Sequence, residues 1–449
     1  MDSTPGHPTP FGRALRNVGW LLTGKGFGAV LSIVYLALVT RSLGVEKFGQ
    51  FTLILATAQA VAALVGFQTW QIVVRYGMIH RARGDRDGLG RLVRFCAGLD
   101  LAAALVGCGI AAVALHVLHT RLGWSITQTQ QGMLFCVVLL LSFRSTAVGI
   151  LRLHERFALG AGADAVTPLV RFFGALAAVS TKATVSGFLV AWAASELMTA
   201  AVYWYSATRT APGLFSRWRD TMRAPAENAG LWHFALVTNL NTTLGAASRQ
   251  LVVVLVGLFT GAAAAGQFRL AYQLSQSLVR LSDMFARGVF PEFSRASASN
   301  ADEGLLTLVR QSTHLALAVG LATCLLVPIL GQPALLLIAG KSYLGAYPIL
   351  VLLGIAAGLD IMAASFEPVL MGTGRAAQAL AIRATATVAL FGGVLLLMPR
   401  FGVFGAGVAT LAASALAFAL LAHAAVRLSR GITRQRQIDG SRAGVGEQP

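Results

Sequence analysis

Twelve apolar runs of about 20 residues, set apart by short charged or turn-rich breaks, constrain this chain more than any other feature of its sequence. They lie near 17–40, 50–73, 93–115, 130–151, 160–180 and 185–207, then 231–258, 264–286, 308–330, 347–370, 377–398 and 402–426. At 1.5 Å per helical residue each run matches the roughly 30 Å of a bilayer core. Composition agrees: 12% of the 449 residues are charged and 56% hydrophobic, where soluble chains carry about 25% charge. The pattern predicts an all-α polytopic membrane protein of about twelve transmembrane helices. Cys96, Cys108, Cys136 and Cys324 all fall inside apolar runs, so neither a disulfide framework nor a metal site is expected.

A net charge of +18 in a soluble chain would suggest nucleic acid as partner, but here topology accounts for it. With twelve spans both termini share one side, and the loops on that side hold 25 Lys and Arg against 7 on the other. The positive-inside rule places both termini in the cytoplasm. The expected organisation is a cytoplasmic segment 1–16, a first six-helix lobe 17–207, a cytoplasmic linker 208–230, a second lobe 231–427 and a disordered basic tail 428–449.

The two lobes repeat. A shift of 217 residues superposes Gly44 on Gly261, Gly49 on Gly266, Gln50 on Gln267, Phe51 on Phe268 and Gln59 on Gln276. A shift of 218 superposes Val185 on Val403, Gly187 on Gly405 and Val190 on Val408. Six spans per repeat give the lobes the same orientation, so a pseudo-symmetry axis along the membrane normal is expected.

The first hairpin reads Thr40-Arg41-Ser42-Leu43-Gly44, then Phe48-Gly49-Gln50-Phe51, and closes at Val74-Arg75-Tyr76-Gly77. Ala265-Gly266-Gln267-Phe268 and Phe290-Pro291-Glu292-Phe293 look like its counterpart, and Gly372-Thr373-Gly374-Arg375 and Gly402 to Gly407 form two late loops. In order and spacing, from about residue 11 to 427, these motifs resemble the polysaccharide transporter family of the multidrug/oligosaccharidyl-lipid/polysaccharide exporter superfamily. The resemblance implies two pseudo-symmetric lobes around a central cavity, alternating access, and an undecaprenyl-diphosphate-linked sugar unit as cargo. It further implies a non-enzymatic flippase of the bacterial inner membrane, serving lipopolysaccharide or exopolysaccharide synthesis beside a polymerase and other export machinery. The competing classes are a multidrug/cation antiporter of the same superfamily and a membrane polysaccharide polymerase or ligase; the short outer loops argue against the enzyme.

Seven charges sit deep inside spans: Lys25, Arg144, Arg171, Arg249, Asp100, Glu196 and Asp360. Facing lipid they would cost about 20 kcal/mol together, so they must pair or face a wet cavity. A diphosphate crossing hydrocarbon needs compensating cations, which nominates Lys25, Arg144 and Arg249 as substrate-binding cavity cations, structural ion pairing being the competing role. Arg171 is expected to pair with Asp100 or Glu196. Asp360, and Glu367 just before Pro368, are candidates for ion coupling. The Gly19–Gly26 stretch is close to a phosphate-binding loop but lacks the Ser or Thr after its lysine and any preceding strand. No nucleotide, nucleic acid, metal or other cofactor is therefore expected. The topology predicts that green fluorescent protein fused at the C-terminus fluoresces and alkaline phosphatase fused there is inactive; an active phosphatase fusion would reverse the orientation.

Overall fold

The computed structural model describes residues 27–122, 124–215, 220–277, 304–364, 366, 370 and 376–445, and no strand occurs among them. The helices are α1 (Phe27–Val65), α2 (Thr69–Ala82), α3 (Arg86–Leu122), α4 (Ile126–Leu141), α5 (Ser145–Leu153), α6 (Phe157–Thr181) and α7 (Val185–Thr210). A short α8 (Ala224–Glu227) leads to α9 (Leu231–Thr260), α10 (262–277), α11 (Gly304–Ile338), α12 (Tyr347–Ala364) and α13 (Ala376–Val445). The all-α polytopic architecture expected from the sequence is the one the chain adopts.

Among the described residues eight helical stretches are long and apolar enough to cross a membrane. Two of these, Val30–Ala82 with 53 residues and Ala377–Ala425 with 49, would be about 80 and 70 Å long if straight, more than twice a bilayer core. Each is divided by a glycine with positive φ, Gly44 (φ 71°, ψ 177°) and Gly402 (φ 56°, ψ −139°). Apolar side chains such as Val106, Val113, Leu134, Val190, Ile329, Val388 and Leu396 are exposed, which suits a lipid-facing exterior.

The described residues form two compact units. One is Gly26–Arg269 with Leu335–Gly345; the other holds 270–277, 304–334 and the described residues from 346 onward. In the first unit Ile72, Val73 and Tyr76 of α2, Leu92 and Val93 of α3, Ile150 and Leu151 of α5, Tyr203 and Ala207 of α7 and Leu231 of α9 make one buried apolar cluster. In the second, Ala363, Leu370, Ala379, Ile382, Leu421 and Ala424 make another.

The repeated glycines have a shared physical cause. Gly44 and Gly261 (φ 90°, ψ 173°) occupy the same region of backbone space, one that residues with a Cβ essentially never enter. Their partners Gly49 and Gly266 pack on each other: a Cβ on Gly266 would stand 3.0 Å from the Gly49 Cα, and one on Gly49 would overlap the Ala262 carbonyl. The rest of the first hairpin motif is accounted for nearby. Arg41 donates to the Leu337 and Ile338 carbonyls at 2.6 and 3.2 Å, capping the end of α11, where helix carbonyls lack partners. The Tyr343 hydroxyl donates to the Thr40 carbonyl at 3.3 Å, and its ring meets Phe48 edge to face.

Three expectations are corrected. The predicted span 50–73 stops at Val65 and restarts as α2, so Arg75 and Arg81 lie on a helix instead of in a loop. The predicted span 130–151 is interrupted at 142–144. The basic segment from 428, expected to be disordered, continues α13 to Val445; it has no proline and carries several good helix formers.

The linker is held by specific contacts. His80 points its Nδ1 at Asp85 (3.0 Å) and its Nε2 at the Asn228 side-chain oxygen (3.1 Å), while the Tyr76 hydroxyl donates to the Ala229 carbonyl. Arg91 pairs with Glu227 at 2.9 Å. The Gly88 amide, assisted by His80, holds the Asp85 carboxyl below its usual range.

Gly49→Ala tests the close approach. It is expected to cost about 2 kcal/mol, read as a drop of several degrees in the melting temperature of the detergent-solubilised protein. Gly98→Ala on α3, where an added Cβ meets nothing within 4 Å, is expected to be neutral or stabilising; equal effects would dismiss the packing role.

Candidate functional site

Two helix breaks lie side by side in the first unit. α1 ends with the Gly66 amide bonded to the Ala62 carbonyl, and Gly66-Phe67-Gln68 leads into α2. α4 ends at Leu141 with both the amide and the hydroxyl of Ser142 on the Val138 carbonyl, and Ser142-Phe143-Arg144 leads into α5. Unpaired backbone groups inside a bilayer cost several kcal/mol each, so such breaks persist only where the protein supplies partners. Here Trp204 donates its indole N–H to the Phe143 carbonyl at 2.9 Å, and the Trp70 amide donates to the Ser145 hydroxyl at 3.2 Å.

Asp100 of α3 joins the two restarts. Its carboxylate accepts the Thr69 hydroxyl at 2.9 and 3.0 Å, the Thr146 hydroxyl at 2.7 Å and the Thr146 amide at 3.1 Å. Thr69 opens α2 and Thr146 is the second residue of α5, so one negative charge sits at two helix N-termini, where the peptide dipoles favour it. The side chain is buried, and these three donors, two hydroxyls and one amide, are what make its burial tolerable.

A cavity of about 460 Å³ opens between the breaks. Its wall includes Gly66, Phe67, Gln68 and Trp70 from the first break, Ser142, Phe143, Arg144 and Ser145 from the second, Asp100 from α3, and Thr243 and Ala246 from α9. Arg144, the residue before α5, reaches Glu196 of α7 at 2.8 Å. Arg171 of α6 takes the other oxygen of the same carboxylate at 2.6 Å, donates to the Ser195 hydroxyl at 3.1 Å and lies 3.5 Å over the Trp192 ring. Two guanidiniums therefore share one carboxylate, which leaves one positive charge in excess. Glu196 is nearly buried, with 10% of its side chain exposed, whereas Arg144 keeps 32% open. Asp100 in the same wall brings the four groups to a formal charge of zero, but its charge is spread over neutral hydroxyl and amide donors, so Arg144 is the charged group of the cavity with the more open surface.

The sequence-nominated residues fall out unequally. Arg144 lines the cavity while also ion-paired, and Arg171 takes Glu196, one of its two expected partners. Arg249 is exposed on α9; it follows Ala246 by three residues, about 60° around the helix, and makes no hydrogen bond or ion pair among the described residues. Asp360, expected as a buried carboxylate, is exposed on α12. Lys25 and Glu367 lie outside the described residues. Sequence reasoning missed the clasp made by Asp100 and the part played by Trp70 and Gln68; the one signal for them was a set of polar residues, Gln68, Thr69, Ser142, Ser145 and Thr146, toward the C-terminal ends of two apolar runs.

With this geometry in view, the chain can be set beside known proteins. The family model described as "Polysaccharide biosynthesis protein" matches residues 14–297. The "Inner membrane protein YghQ" of Escherichia coli (strain K12) is 29% identical over 346 residues, 76% of this chain and 96% of that protein. The lipid II flippase MurJ in an inward closed conformation superposes with a TM-score of 0.66 at 10% identity, over 90% of this chain and 86% of MurJ. An inward-facing multidrug resistance MATE family transporter of the MOP superfamily superposes with a TM-score of 0.64 at 16% identity, over 90% of this chain and 96% of that one. At such identities the two solved structures establish a shared fold.

Glu196→Gln would leave Arg144 and Arg171 without their counter-charge. A loss of about 3 kcal/mol is expected, read by thermal unfolding in detergent, with much of it restored by adding Arg171→Met. An unchanged melting temperature in the single variant would show that the two arginines do not depend on Glu196.

Proposed function

Because the chain belongs to the polysaccharide biosynthesis protein family, we propose that it is a flippase moving undecaprenyl-diphosphate-linked oligosaccharide units across the bacterial inner membrane for cell-surface polysaccharide synthesis. The observation that supports the cargo assignment is a partly open guanidinium in the cavity wall: Arg144, which shares Glu196 with Arg171 and keeps 32% of its side chain exposed. A diphosphate entering a low-dielectric space loses hydration worth tens of kcal/mol and needs fixed donors in exchange. Arg144 suits this task because its fork can grip phosphate oxygens, and its standing pair with Glu196 gives it somewhere to return when the headgroup leaves. Arg249, on nearly the same face of α9 as Ala246, is the second cation in this scheme.

With both termini cytoplasmic, the breaks at 66–68 and 142–144 lie toward the cytoplasmic ends of their spans, the side on which the cargo is loaded. Alternating access then carries it outward. Two negative charges moving outward are favoured by about 2.3 kcal/mol per charge per 100 mV of a cytoplasm-negative potential. The name of the E. coli relative supports the inner membrane as location, and a polysaccharide polymerase on the outer side is the partner this role requires.

The experiment uses proteoliposomes holding a fluorescent prenyl diphosphate whose outer-leaflet copies are chemically quenched. Wild type is expected to expose the inner pool, and Arg144→Ala to slow it at least about tenfold, the value of one lost charge-assisted contact. A protein that moves cationic dyes but not the diphosphate, or an Arg144→Ala variant flipping at the wild-type rate, would overturn the reading in favour of a cation exporter.

A further inference from the structure

The cavity wall carries two chemistries. Arg144 and Asp100 are its charged lining residues, and Trp70, Gln68 and Thr243 are among its uncharged ones. We propose that Trp70 is a specificity-determining residue, a platform on which the first sugar of the cargo stacks while Arg144 holds the adjoining diphosphate. The inference rests on the flippase reading above and deepens it.

Trp70 is fixed from several sides. Its indole N–H donates to the Gln68 side-chain oxygen at 2.9 Å, across a gap of only two residues at the start of α2. Its backbone amide donates to the Ser145 hydroxyl, which ties the residue to the neighbouring helix start. The Arg152 guanidinium lies over its ring at 4.1 Å from the centroid. Gly149 allows α5 to come this close: a Cβ there would stand 2.9 Å from the Trp70 Cα and 2.8 Å from the Val73 Cβ.

An aromatic ring held this firmly, half-buried and set in a cavity wall, contributes contact area with little conformational entropy left to lose. Pyranose rings present faces of C–H groups that pack on the negative face of an aromatic ring, with hydroxyls around the edge that need amide and hydroxyl partners. Gln68, whose oxygen holds the indole and whose amide N–H groups can donate to a hydroxyl, lines the same cavity, as does Thr243, whose hydroxyl donates to Asn239 and can still accept. Trp70 directly follows Thr69, the residue that Asp100 binds, and Ser145, which receives the Trp70 amide, directly follows Arg144. The clasp that sets the diphosphate-binding arginine therefore also sets the ring beside it, as a ligand with its first sugar on the diphosphate demands.

The test measures binding of two probes to the full chain in nanodiscs: undecaprenyl diphosphate alone, and undecaprenyl diphosphate carrying N-acetylglucosamine. The quantity read is the affinity ratio, glycosylated over bare. Wild type is expected to favour the glycosylated probe, and Trp70→Leu to lower the ratio between about three- and tenfold. Trp70→Phe keeps a ring and is expected to hold the ratio within about twofold of wild type. Arg144→Ala is expected to weaken both probes and leave the ratio in place. A ratio of one in wild type, or a ratio unmoved by Trp70→Leu while Arg144→Ala weakens both probes, overturns the role of Trp70 and leaves the cavity reading standing. Arg144→Ala without effect on either probe overturns the cavity reading and the Trp70 assignment with it.

Discussion

A carboxylate placed where two interrupted helices restart is the contact on which the rest of the site depends. Continuous helices satisfy their own backbone, so a span through lipid has no reason to open unless something else takes up the freed groups. Asp100 takes up the Thr146 amide at the start of α5 and ties the start of α2 to it through the Thr69 hydroxyl. Because the breaks share that partner they lie beside each other, and the space between them is lined by backbone turns and polar side chains in an otherwise apolar bundle. Arg144 owes its position to the same arrangement, since it is the residue from which α5 restarts.

The glycine corners belong to a different logic. Gly44 and Gly261 turn the chain in a conformation closed to other residues, and Gly49 and Gly266 let the two corners touch. A repeat whose matching positions carry the same backbone angles and then meet in space is better evidence of a duplicated helical unit than letter identity alone. Arg41, one residue of the same motif, serves the end of α11 instead of a ligand. The motif is thus explained by architecture, and the chemistry lies elsewhere.

That division explains what could be read from the sequence. Apolar run length gave the helices, because hydrocarbon thickness leaves few alternatives, and the glycine repeat was visible because only glycine tolerates those angles. Arg144 was visible because an arginine deep in an apolar run demands a reason. The breaks were hidden: a few polar residues such as Thr69, Ser145 and Thr146 within otherwise apolar runs do not by themselves end a span, and what ties the restarts together is Asp100, some 30 to 45 residues away. Asp100 was taken as an ion-pair candidate for Arg171, a role that Glu196 fills at 2.6 Å. Nothing in the sequence around His80 marks its role, because its partner Asn228 lies 148 residues further along the chain. Contacts between distant residues of ordinary type leave no periodic trace.

The central claim is that the space between the two breaks receives an anionic headgroup through Arg144. Cryo-electron microscopy of the full chain in nanodiscs with undecaprenyl diphosphate tests it directly. The account predicts headgroup density in that cavity with phosphate oxygens about 3 Å from the Arg144 guanidinium. A headgroup bound elsewhere, with Arg144 still engaged only with Glu196, would contradict it.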